Sequence, residues 1–153
     1  MYSVLFVCTA NICRSPMAMG LLREKVKDEQ DWKVESAGTW ATDGDAAAAR
    51  TIQVLEERGI MLKDHHSRII TGEMLAQFNL ILTMEHGHKE ALKVEFPKLA
   101  KRIYLLSEMI GQKYEIEDPM GRPYQDYQAT ANEIARIIDQ GFDRIESLSK
   151  ETP

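Results

Sequence analysis

The segment SVLFVC, residues 3–8, is β-branched, aromatic or small at nearly every position and carries no charge. A strand with one wet face would alternate apolar and polar residues. A short, continuous apolar run reads instead as a strand covered on both faces, the habit of parallel sheets. LILTM (80–84) reads the same way, and WKVESAG (32–38) and the start of RIYLLSEM (102–109) supply two more strands. Helical segments separate them: SPMAMGLLREKV (15–26), AAAARTIQVLEERGI (46–60), EMLAQFN (73–79) and HKEALKVEF (88–96). Ser15 is the expected N-cap of the first, with Pro16 at the first helical position. Gly59 is the expected stop of the second. One long helix is expected over 126–150, with Ile134, Ile137, Ile138 and Ile145 on an apolar stripe. Strands alternating with helices predict an α/β fold: a single domain over 1–153, built on a four-stranded parallel sheet with helices on both faces.

Composition excludes several classes of function. The formal net charge of -5 argues against nucleic acid as a partner. No apolar run approaches the roughly 18 residues of a membrane span, so no membrane partner is expected. MYSVLFVC lacks the basic start of a secretory signal, and a cytoplasmic location is the expectation. Two cysteines in 153 residues are not a disulfide framework. The histidines at 65, 66, 86 and 88 lack metal-ligand spacing, so no metal and no cofactor is expected. His65 reads as a structural hydrogen-bonding residue.

In parallel α/β folds, ligands bind at the carboxyl ends of the strands. The first strand ends at Cys8 and runs into CTANICRS, where a loop of five residues separates Cys8 from Arg14. Such a loop can turn its backbone N–H groups inward as a nest for one anion, and the following helix adds its positive end. Arg14 offers a planar fork matched to two phosphate oxygens. A thiolate rather than a thiol is the nucleophile, and this surrounding favours the thiolate. A hydroxyl from Ser15 would favour it further. No GxxxxGK[ST] or GxGxxG occurs, so nucleotide binding is unsupported. A thiolate held against phosphorus points to covalent phosphoryl transfer through a cysteinyl-phosphate. The leaving group needs a proton, and Asp118 in IEDPM, stiffened by Pro119, is the candidate acid.

VCTANICRSP, ESAGT at 35–39 and EDP at 117–119 together resemble the low-molecular-weight protein tyrosine phosphatase family. The resemblance covers essentially the whole chain and implies a phosphotyrosine phosphatase I-like fold and a phosphorylated protein as substrate. It implies that Cys8 is the nucleophile, Arg14 the phosphate clamp, Asp118 the general acid and base, and Ser15 an aid to the thiolate as leaving group. Thr9, Ala10, Asn11, Ile12, Cys13 and Arg14 are implied to bind phosphate, with Asn11 bracing the loop against Ser36. Cys13 is either a packing residue or a redox partner of Cys8. Ile12, Trp40 and Met120 are candidate walls of the substrate pocket.

Two departures stand out. Ala10 replaces a usual glycine, which matters if that position needs a positive φ. Met120 and Gly121 stand where many tyrosine-specific members carry two tyrosines. The sequence therefore predicts a phosphotyrosine phosphatase, with a protein-arginine phosphatase as the alternative. DPMG leans toward the latter, whereas Ile12 suits an aromatic ring. An arsenate reductase would need further cysteines after Cys13, and an inactive phosphate-binding module would not need the full catalytic set.

Overall fold

A computed structural model describes residues 1–62 and 64–151. Four strands, β1 (Tyr2–Cys8), β2 (Trp32–Gly38), β3 (Leu80–Thr83) and β4 (Ile103–Leu105), form one parallel sheet in the order β2-β1-β3-β4. The helices are α1 (Arg14–Lys25), α2 (Ala49–Glu56), α3 (Gly72–Ala76), α4 (His86–Glu95), α5 (Tyr124–Gln140) and α6 (Phe142–Ser149). Short 3-10 segments flank β4 at Pro97–Arg102 and Leu106–Ile110.

The apolar run that opens the chain explains the layering. Successive side chains of a strand point to opposite faces. Val4, Phe6 and Cys8 pack into a core with Met17, Leu22, Leu55, Ile134 and Ile138, from α1, α2 and α5. Leu5 and Val7 enter a smaller core with Leu75, Phe78, Leu92 and Ile103, under α3 and α4. Both cores are fully enclosed, and each large apolar side chain so buried contributes about 1.5–3 kcal/mol. The strand order reverses between β1 and β3, and a crevice opens at their carboxyl ends. Cys8 ends β1 there, with Met84 and Glu85 just beyond β3.

Three local expectations are corrected. Ser15 is not an N-cap: α1 starts at Arg14 with Cys13 capping it, because the Ser15 hydroxyl is held inward beside Cys8. The helix expected from residue 46 starts at Ala49: Ala46 and Ala47 lie outside it, and Ala48, at φ -56° and ψ 141°, donates its amide to Ile12 O at 2.8 Å. The fourth strand lies at the start of RIYLLSEM as expected, over three residues, and turns into a 3-10 segment. The C-terminal helix is two helices broken at Gly141. A Cβ there would meet Met109 O at 2.8 Å and Ile137 O at 2.9 Å, so the break follows a close approach of another segment.

Candidate active site

The loop between β1 and α1 is shaped by what happens to its carbonyls. Cys8 O accepts from Thr39 N at 3.0 Å, Thr9 O from Trp40 N at 2.9 Å, and Ile12 O from Ala48 N at 2.8 Å. Asn11 O accepts from His65 Nε2 at 2.8 Å, and Cys13 O from Met17 N at 3.2 Å. In a trans peptide the next residue's N–H points opposite to the carbonyl. With these five carbonyls held outward, the amides of Thr9, Ala10, Ile12, Cys13 and Arg14 face the hollow of the loop. That is an anion nest at a helix N-terminus.

Asn11 makes the turn possible. Its φ of 60° makes it the one non-glycine residue with positive φ among the described residues, and asparagine tolerates that region better than most. Ala10 does not need it, so replacing a glycine there costs nothing in backbone strain. The Asn11 side chain is fully buried. Its Nδ2 donates to Ser15 Oγ at 2.8 Å and Ser36 Oγ at 2.9 Å, and its Oδ1 accepts from Arg68 N at 3.1 Å. Gly38 closes the support: a Cβ there would strike Thr9 O and come within 3.1 Å of Asn11 N.

Ser15 Oγ lies 3.0 Å from Cys8 Sγ. Because Ser15 already accepts from Asn11, its own proton is available to the sulfur, the only other acceptor in range among the described residues being Ala37 O at 3.5 Å. Arg14 is 1% exposed. Its Nη1 donates to Ile116 O at 2.7 Å, and its Nη2 sits 2.6 Å from Glu85 Oε2 and 3.7 Å from Asp118 Oδ2. Its Nε is buried and has no partner among the described residues, a donor suited to an oxyanion in the loop. Asp118 is fixed by its Oδ1 accepting from Met120 N at 3.0 Å, with the carboxyl group partly open to solvent.

A narrow pocket over the sulfur is lined by Cys8, Thr9, Ala10, Ile12, Cys13, Arg14, Asp118 and Met120. Ser15, Asn11 and Ser36 lie behind it. Trp40 is held by its backbone to Thr9, but its side chain is 83% exposed and does not line this pocket. Cys13 is a free thiol, as is Cys8, and its Sγ lies 3.7 Å from Tyr127 Oη. Burial raises the Cys13 pKa, so this thiol stays protonated near neutral pH. Burial and the contact with Cys13 push Tyr127 up to about 12.

Two neighbours of the loop lie outside its motifs. Glu85 holds Arg14, and His88 Nε2 is 2.9 Å from Thr9 Oγ1. A signal existed, since Glu85 follows the apolar run LILTM just as the loop follows SVLFVC. His65, by contrast, takes the hydrogen-bonding position expected of it, and burial lowers its pKa.

Comparison with known proteins gives the same direction. Residues 3–152 match the family profile described as low molecular weight phosphotyrosine protein phosphatase. A protein-arginine-phosphatase of Geobacillus stearothermophilus is 34% identical over 147 residues, covering 95% of this chain and 97% of its own. The low molecular weight protein-tyrosine-phosphatase Etp of Escherichia coli (strain K12) is 32% identical over 143 residues, 94% of each chain. Among solved structures, a low molecular weight protein tyrosine phosphatase from T. tengcongensis aligns with a TM-score of 0.89 at 38% identity, covering 94% of this chain and 99% of that one. A profile that spans nearly every residue, with relatives aligned end to end, settles the kinship: this chain belongs to the low molecular weight phosphotyrosine protein phosphatase family.

Proposed function

We propose that this enzyme hydrolyses phosphotyrosine in proteins through a phosphocysteine on Cys8. The Cys8 thiolate attacks phosphorus in line. The inward amides and Arg14 hold the three equatorial oxygens. Asp118 gives its proton to the departing phenolic oxygen, then takes one from the water that attacks the phosphocysteine. The Ser15 hydroxyl stabilises the thiolate as it leaves. The observation that carries this reading is the convergence of Cys8 and Arg14, from the loop after β1, with Asp118, from a segment about a hundred residues further on, at one pocket. The reaction needs Cys8 reduced, which fits a reducing compartment such as the cytoplasm.

Ile12 and Met120 favour an aromatic substrate. Both line the mouth above the sulfur, and they offer a flat ring apolar contact without hydrogen bonds. A phosphoarginine would bring a guanidinium whose donors need acceptors there. The second reading, a protein-arginine phosphatase, is favoured by the Geobacillus relative and by the partly open Asp118 carboxylate at the mouth. Kinetics on matched phosphotyrosine and phosphoarginine peptides decide between them. We expect kcat/KM to favour phosphotyrosine by at least about tenfold, and Ile12→Thr to narrow that ratio. A preference for phosphoarginine in the unaltered chain would replace the first reading with the second.

A further inference from the structure

His88 is a buried, titratable side chain that this reaction does not use. It stands in the first turn of α4, 7% exposed. Its Nε2 is 2.9 Å from Thr9 Oγ1 and 4.0 Å from Glu85 Oε2, and its Nδ1 has no partner among the described residues. That same Glu85 oxygen lies 2.6 Å from Arg14 Nη2. One carboxylate oxygen therefore stands between the arginine of the loop and an imidazole already tied to the loop.

The partnerless Nδ1 is better tolerated as a bare lone pair than as a buried N–H. The resting imidazole thus carries its proton on Nε2 and donates it to Thr9 Oγ1. A bound phosphoryl dianion competes with Glu85 for Arg14. When Arg14 turns to the anion, Glu85 loses its partner, and His88 is the nearest group able to replace it.

We propose that His88 is a positioning residue of the phosphoryl site: it holds Thr9 in the resting loop and takes over Glu85 when Arg14 engages an oxyanion, gaining a proton. This rests on the reading of the loop as a phosphoryl-binding site. The proton comes from solvent and adds to Nδ1, where the pull of the freed Glu85 carboxylate on the imidazolium outweighs the cost of a buried N–H without a partner; no other covalent bond forms or breaks. Four charged groups face the imidazole: Glu85 at the head of its own helix, Arg14 from α1, and Glu115 and Asp118 from the segment before α5. Burial holds the His88 pKa below its ordinary value and Arg14 adds to this, while the three carboxylates oppose it. An anion that neutralises Arg14 and releases Glu85 tips that balance toward the imidazolium. By reciprocity, anion affinity then rises as pH falls.

Sulfate is the probe, because it remains a dianion from pH 5.5 to 8 whereas phosphate does not. Calorimetry in buffers of different ionisation enthalpy measures both affinity and protons taken up. A Cys8→Ser background removes the thiol's own proton from the count. Sulfate is expected to bind about fivefold tighter at pH 5.5 than at pH 8, with net proton uptake. His88→Gln in the same background keeps an N–H for Thr9 but cannot charge, so the rise and the uptake are both lost while affinity at pH 8 persists. Equal pH dependence and equal uptake in the two proteins overturn the proposal. Failure of sulfate to bind either protein at any pH contradicts the phosphoryl-site reading instead. If His88→Gln does not fold, the His88 ring signals in the unaltered chain decide by NMR. Their titration midpoint moves up on adding sulfate, and an unmoved midpoint overturns the proposal.

Discussion

Asn11 is the residue on which the loop turns, and it does two jobs. It accepts a left-handed backbone, and it ties Ser15, Ser36 and the Arg68 amide together from a fully buried position. Asn11→Ala imposes the same φ on an unsuited residue and strands three polar partners. Urea denaturation is expected to show a loss of about 2–4 kcal/mol. Asn11→Gly, free of the backbone penalty, is expected to retain about 1 kcal/mol more than the alanine variant. Ser15→Ala removes the hydroxyl 3.0 Å from Cys8 Sγ; a hydrogen bond of that kind to the thiolate of the proposed mechanism is worth about 1.5–3 kcal/mol, so kcat on an aryl phosphate is expected to fall roughly 10–100-fold. Asp118→Asn lowers kcat by about 10²–10⁴-fold for a phenolic leaving group, and by less for one that needs no proton. Cys8, Arg14 and Asp118 were legible as residues because their chemistry is distinctive and the strand-end rule says where to look. Glu85 and His88 were not, because an acid and a histidine at a helix start are common. Only the packing of β3 beside β1 brings them to the loop.

Elements were legible in kind and less so in extent. SVLFVC and LILTM were visible as apolar runs, WKVESAG and the start of RIYLLSEM as shorter strand patterns, and the parallel arrangement followed from their alternation with helices, all of which depend on local composition. The boundaries that shifted did so through long-range contacts. Ala46 to Ala48 have every local reason to be helical, yet Ala48 is held extended by Ile12 O. Gly141 lies inside a run that looks continuously helical, and only the carbonyl of Met109 shows why the chain breaks there. Gly141→Ala is therefore expected to destabilise the protein by about 1–3 kcal/mol in urea denaturation. That cost exceeds the gain in helix propensity of about 1 kcal/mol that alanine brings. An increase in stability would mean that α5 and α6 can straighten past Met109. Cys13 shows the same limit on a smaller scale. Its place against Tyr127 of α5 could not be read from the loop sequence, and it favours the packing role for that thiol.

At the scale of the molecule, a reversed strand order places β1 and β3 side by side, and the site forms where their ends diverge. The sheet supplies rigidity, and the loop converts it into a fixed ring of amides. Two histidines brace this loop, His88 buried and His65 half-buried, and they also make stability depend on pH. Burial lowers the pKa of both His65 and His88 in the folded chain. The unfolded chain therefore binds more protons as pH falls through the ordinary histidine value near ~6.5. Their contribution is complete above that pH and is lost progressively below it. Thermal melting is expected to show a lower Tm at pH 5.5 than at pH 7.5, and His65→Asn should flatten part of that difference.

The reaction itself is tested most directly by trapping its intermediate. The enzyme is mixed with a ³²P-labelled aryl phosphate, quenched within milliseconds and digested, and the label is mapped. Label is expected on the peptide carrying Cys8, released as inorganic phosphate on longer incubation and absent from Cys8→Ala. Label on any other residue of the unaltered chain, or hydrolysis that persists in Cys8→Ala, would contradict the phosphocysteine route.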